Sequence, residues 1–149
     1  MENPKIILSA KGLDFGFGFY LTSSYEQAER WAQLITKRRK SGKAIVSVFE
    51  FNEDEMFTLK TITYPRPDRA WLEMITLNRM KAAYDSGYDV MIGPVADDDT
   101  LETISLYFRG MYSEEETLKR LLPQRLKDQY AFKTEASLLN LKFVRGENV

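Results

Sequence analysis

Two hydrophobic periods alternate along this chain, and the switches between them mark its elements. Lys5 to Leu8 is a short apolar run that predicts a strand, and Phe17 to Leu21 predicts a second. Ala28, Trp31, Ala32 and Ile35 then recur at helical spacing. Ser23 and Ser24 offer N-cap oxygens ahead of that helix, and Glu26 and Glu29 sit in its first turns. Lys37, Arg38, Arg39 and Lys40 suit the negative end of its dipole, and Gly42 is expected to stop it. Lys43 to Phe51 is apolar on both faces early and alternates later, which predicts a central strand of a sheet. Met56 to Ile62 predicts another strand. "YPRPD" (64–68) is a turn, because its two prolines do not fit a helix interior.

Asp68 is placed to cap a helix running to about Tyr84, with an apolar stripe of Trp71, Ile75 and Ala82. Asn78 falls on that same stripe, an odd residue for a face meant only for packing. Tyr88 to Ile92 predicts a short buried strand ended by Gly93-Pro94. "ADDDT" (96–100) precedes a helix carrying Leu101, Ile104 and Phe108, with Gly110 just past its end. Ser113 to Glu116 has the spacing of a capping box and opens a helix with Leu118, Leu121 and Leu122. Tyr130 to Lys133 predicts a strand, Thr134-Glu135 one helical turn, and Leu141 to Val144 a final strand. Strands and helices mix without strict βαβ alternation and without a repeat, so the fold class is α+β rather than doubly wound.

Length and composition narrow this further. A chain of 149 residues predicts a single domain, 1–149, that buries about 70% of its unfolded surface. With 21 basic and 22 acidic residues the net charge is −1, which lacks the basic footprint of a protein that binds nucleic-acid backbone. The absence of cysteine excludes disulfides and thiolate chemistry. The absence of histidine removes the commonest general base and metal ligand. Any chemistry falls to carboxylates, amides, hydroxyls, phenols, Lys or Arg. No apolar run approaches the roughly 20 residues that span a bilayer. The first residues lack a signal-peptide core, so a cytoplasmic location is the expectation.

Several stretches carry candidate chemistry. Gly16 and Gly18 allow a sharp turn or a close approach to a ligand, and Phe15, Phe17, Phe19 and Tyr20 offer faces for a flat ring. The same residues equally describe a bulged strand with core aromatics. Asp97, Asp98 and Asp99 fit either a hard cation or the cap and first turn of the next helix. Asn78 and Arg79 fit a substrate contact, and Asn78 equally fits an internally bonded core amide. The basic run 37–40 fits a solvated helix end or a phosphate contact. Gln129 and Glu135 flank the penultimate strand, where a polar group can face a cleft, and Glu135 also fits the first turn behind a Thr134 cap.

Three segments in order carry a family resemblance: "DFGFGFYLTSSYEQAERWA" (14–32), "YDVMIGPVADDDT" (88–100) and "DQYAFKTEASLLNLKF" (128–143). They resemble the signatures of a bacterial family described as a domain of unknown function and grouped with the ADP-ribosyltransferase fold. The resemblance implies a split, two-sheet α+β core that binds NAD as co-substrate. In the His-Tyr-Glu branch of that superfamily, a tyrosine after a Gly-x-Gly-aromatic stretch stacks on nicotinamide, and Tyr20 matches it with Gly16 and Gly18 preceding; Phe17, Phe19, Asn78 and Arg79 are taken as further NAD-binding candidates. Phe17 stands where a small or basic residue is expected. Gln129 falls where the branch has its ribose-holding glutamate, and Glu135 is the nearby carboxylate. The first signature, a strand resembling Tyr-His-Gly-Ser, has no counterpart in a chain without histidine. A shortened chain, a misassigned start and a pseudoenzyme are the readings of that difference.

The function implied is transfer of ADP-ribose to a macromolecular target, protein or nucleic acid. Members of the family resemble toxins of bacterial toxin–antitoxin pairs, so a small antitoxin-like partner is expected and a membrane is not. The alternative is an inactive module on the same fold that holds NAD, another nucleotide or a partner. A metal-dependent hydrolase built on Asp97 to Asp99 is a third reading.

Overall fold

A computed structural model describes residues 3–6, 14–81 and 84–149. The glycine-aromatic segment leads into β1 (Phe19–Leu21), and the Ser24 hydroxyl caps α1 (Tyr25–Arg39) by accepting the Gln27 N–H. β2 (Ile45–Glu50), the short α2 (Glu53–Met56) and β3 (Thr61–Thr63) follow. Asp68 caps α3 (Arg69–Met80), which leads to β4 (Val90–Pro94). Asp97 caps α4 (Asp98–Phe108), and Ser113 caps α5 (Glu114–Leu121). β5 (Asp128–Phe132), α6 (Glu135–Leu138) with its Thr134 capping box, and β6 (Lys142–Asn148) complete the described chain.

The strands form two sheets, as α+β order predicts. One is four-stranded in the order β1-β5-β4-β3, with β3 and β4 parallel and the other pairs antiparallel; the second pairs β2 with β6. β5 is the hub: Phe19 lies opposite Phe132, Tyr20 opposite Ala131, and Val90 opposite Phe132 on the other side. Side chains alternate across a strand, and here the alternation separates two cores. Met91 and Ala131 join Phe15, Trp71, Leu72, Ile75, Ile104 and Leu121. Val90, Ile92 and Phe132 join Met56 and Leu138 on the opposite face. The second sheet is fastened to that opposite face by ring contacts: Phe49 meets Phe19 edge-on at 5.6 Å, and Phe51 meets Phe132 at 5.7 Å.

Several expectations change. Lys43 to Phe51 is not a central strand; β2 has a single partner, with a register shift between Val48 and Phe49, and only Val46 is fully buried. Its later alternation is the better guide to that half-covered position. Met56 to Ile62 divides into the end of α2 and the start of β3, because Asn52 caps a helical turn by accepting the Asp54 and Glu55 N–H groups. α3 stops at Met80 rather than Tyr84, and Ala82 lies outside the described residues. Gly93 and Pro94 belong to β4. α1 ends on Lys40 in the left-handed conformation, before Gly42 is reached. No residue of α1 is fully buried and Trp31 is 60% exposed; the main packing partner of the helix is β2 of the small sheet. The expected strand at Lys5 to Leu8 falls partly outside the described residues, and Lys5 and Ile6 are not in a strand.

Phe132 is the joint between the sheets, so Phe132→Ala should cost about 3–5 kcal/mol in urea unfolding. A loss below ~1 kcal/mol would mean that the two sheets do not share this contact.

Candidate functional site

The alternation that splits the cores also builds a polar centre. Gln129, Ala131 and Lys133 point to the α3 side of the large sheet, and Tyr20 points the same way because it opposes Ala131. The turn from Asp14 to Gly18 folds across this face. Gly16 has φ +74°, and a Cβ there would lie 2.7 Å from Asn78 Oδ1 and 3.5 Å from Lys133 Nζ. Only glycine meets both demands.

Tyr20 closes the turn on itself. Its hydroxyl donates to the Gly16 carbonyl at 2.6 Å and accepts the Phe15 N–H at 3.1 Å. Burial holds the phenol protonated far above its ordinary range. It is a neutral group at physiological pH, suited to packing and hydrogen bonding rather than to base catalysis.

Lys133 holds the turn from beneath. It is 3% exposed, and its Nζ donates to the carbonyls of Phe15 (2.5 Å) and Phe17 (2.7 Å). The ammonium also lies 4.2 Å from the centre of the Phe17 ring, a cation–π contact. Burial pulls its pKa down to about 8, with Asp85 acting weakly in the opposite sense.

Asp14 anchors the start of the turn. It is 7% exposed. Its Oδ1 accepts from Arg79 Nε at 3.1 Å and Nη2 at 2.5 Å. Its Oδ2 accepts from the Ala96 N–H at 3.2 Å and Gln129 Nε2 at 3.3 Å. Gln129 Nε2 also reaches the Pro94 carbonyl at 3.2 Å, which accepts Trp71 Nε1–H at 3.0 Å as well. A carboxylate with four donors is compensated for its burial. The other ion pairs among the described residues are more exposed than this one.

Asn78 is 8% exposed. Its Nδ2 donates to the Met74 carbonyl one turn earlier at 2.9 Å, while its Oδ1 has no partner.

Of the residues singled out in the sequence, Gly16, Tyr20, Asn78, Arg79 and Gln129 come together here, with Phe17 over Lys133. Gly18 fits tightly against β5, since a Cβ would lie 3.1 Å from the Phe132 carbonyl oxygen. Phe19 lies on the opposite face, against Phe49. Glu135 is exposed in the first turn of α6 and stands apart from this cluster. Asp97 caps α4 by accepting the Thr100 N–H at 2.8 Å, and Asp98 and Asp99 form its first turn. Among the described residues, no group of three or more carboxylates is arranged to hold a metal ion. A cavity of about 260 Å³ lies elsewhere, between α4 and α5, lined by Asp99, Thr103, Lys119 and Gln124 among others. Asp14 and Lys133 were not singled out from sequence. The period-2 pattern of β5 carried a signal for Lys133, which shares the face of Gln129 and Ala131.

A protein-family model described as "Protein of unknown function (DUF3990)" matches residues 1–143. Searches of curated proteins and of solved structures returned no match.

Two outcomes follow from the turn. Gly16→Ala combines a left-handed backbone with the contact on Asn78, and should lower stability by about 1–2 kcal/mol from the backbone alone. Denaturant unfolding measures this; an unchanged midpoint would contradict the tight fit. For Lys133, the folded pKa lies below the unfolded value of 10.5, so above pH 8 the unfolded chain binds more protons and stability rises with pH. Between pH 8 and about 10 wild type should therefore gain stability relative to Lys133→Met. Parallel pH profiles for the two proteins would contradict a buried ammonium.

Proposed function

We propose that this chain, which belongs to the DUF3990 family, is an ADP-ribosyltransferase-like protein that binds NAD at the glycine turn without turning it over. The observation that carries this reading is the convergence of Gly16, Tyr20, Asn78, Arg79 and Gln129, drawn from the turn, β1, α3 and β5, at one polar centre. Gly16, Tyr20 and Gln129 are positions at which the family resemblance puts the nucleotide, and Asn78 and Arg79 are candidate contacts read from the sequence of α3. Tyr20 offers a neutral ring held in a fixed orientation, and Arg79 offers a guanidinium partly open to solvent.

Lack of turnover follows from how the polar groups are spent. Loss of nicotinamide leaves an oxocarbenium-like ribose, which needs a free negative group aimed at it. Both oxygens of Asp14 are taken by donors, and Gln129 supplies an amide rather than a carboxylate. Glu135, the remaining candidate, is exposed in α6.

A second reading has one observation in its favour. Asp14 Oδ2 lies 3.3 Å from the Gln129 amide, so a carboxylate does stand behind the position where the family pattern has its glutamate. If Arg79 turned toward a bound phosphate, that charge would be released for catalysis. The chain would then transfer ADP-ribose to a protein or nucleic acid, as the toxin of a toxin–antitoxin pair with a small partner protein.

Calorimetry with NAD, ADP-ribose and nicotinamide, paired with labelled NAD in cell lysate, separates the readings. Heat of binding without label transfer is expected. Transfer of label would favour the second reading. No heat with any of the three ligands, in protein folded by circular dichroism, would remove NAD from the account.

A further inference from the structure

Charge is segregated along this chain. Residues 30–49 hold six cations, Arg30, Lys37, Arg38, Arg39, Lys40 and Lys43, and no carboxylate. The whole chain carries −1, so the remainder carries −7. Arg30 pairs with Glu26. The other five are exposed, and no ion pair among the described residues uses them. The dipole of α1 accounts for cations in its last turn, but Lys40 and Lys43 lie past that turn. At the end of α5, by contrast, Lys119 and Arg120 each meet a glutamate one turn earlier. Like charges this close repel one another, and an arriving opposite charge relieves the repulsion. The same helix shows apolar surface to solvent. Trp31 is 60% exposed and Leu34 38%. With Arg38 they stand at i, i+3 and i+7, the ridge that one helix offers another. Ala28, Ala32 and Ile35, on the adjacent side of α1, are half-buried.

We propose that the C-terminal half of α1 is a docking surface for an acidic amphipathic helix of a partner protein. The inference does not depend on the NAD reading. The apolar face of such a helix covers Trp31 and Leu34, and its carboxylates meet the unpaired cations of 37–43. Charge complementarity sets the sign of the partner, and the exposed stripe sets its form. A nucleic-acid strand fits less well. It offers a base to Trp31 but no aliphatic surface to Leu34, and the −7 on the rest of the chain repels a long polyanion. A bilayer also fits less well, because two apolar side chains give little area to bury among lipid tails. A short acidic helix uses both the rings and the charges while staying within the basic segment. Its electrostatic share is exposed to solvent and weakens as salt rises.

The probe is a labelled helical peptide with leucines along one face, glutamates elsewhere and no aromatic residue. The chain has two tryptophans, and Trp71 is fully buried, so acrylamide quenching of the full chain reports Trp31. Added peptide should shield Trp31 from acrylamide. The same peptide with glutamine in place of leucine should bind about tenfold more weakly. By anisotropy of the label, Trp31→Ala and the double change Arg38→Glu with Lys40→Glu should each weaken the leucine peptide by about tenfold. Absence of peptide binding, wild-type affinity in both variants, or binding that leaves Trp31 open to acrylamide would overturn the proposal. Tighter binding of oligo-dT or of phosphatidylserine vesicles would give the surface to another class of partner and overturn it too. So would a dimer of this chain that shields Trp31 unaided. The quenching of wild type decides the matter even if a variant does not fold.

Discussion

A single buried carboxylate organises this molecule. Asp14 cannot stay charged in the interior unless its oxygens are matched, and the matching groups come from distant parts of the chain. Arg79 reaches it from α3, the Ala96 N–H from the link between β4 and α4, and Gln129 from β5. Those bonds fix where the chain crosses the sheet as it approaches β1. The position of Gly16, the orientation of Tyr20 and the clamp by Lys133 follow from that crossing.

The sheet supplies the second constraint. Because β5 alternates, Gln129, Ala131 and Lys133 share a face, while Tyr130 and Phe132 serve the other core. One face joins the sheets through aromatic rings, and the other gathers polar groups beneath α3. A buried ammonium bonded to the turn and a buried carboxylate at its start leave little of that face open to solvent. This is the setting in which hydrogen-bond complementarity to a ligand has most effect.

Five of the six helix starts were legible because capping is local chemistry; the single turn of α2 behind Asn52 was not. Ser24, Asp68, Asp97, Ser113 and Thr134 each accept an N–H three residues on, within reach of any short window of sequence. Strand partners were not, since pairing is decided by residues far away: Lys43 to Phe51 reads as a central strand, and its one partner begins at Lys142. Trp31 sits at helical spacing with Ala28 and Ala32, and nothing in that spacing tells that the ring stays 60% exposed. The glycine turn and Tyr20 were visible as a cluster. The groups that hold the turn were not, because Asp14 and Arg79 are 65 positions apart and a lysine at a strand end reads as solvated. Glu135 drew attention as a free carboxylate, while the carboxylate at the polar centre stood inside the glycine segment itself.

A double-mutant cycle on Asp14 and Arg79 tests this account most directly. Asp14→Ala and Arg79→Ala, singly and together, are compared by denaturant unfolding. If the pair organises the turn, the two changes should couple by about 1–3 kcal/mol. Each single change should cost more than a surface ion pair, which is worth up to about 1 kcal/mol. Additivity within about 0.3 kcal/mol would mean that the contact holds nothing in place, and the account would fail at its centre.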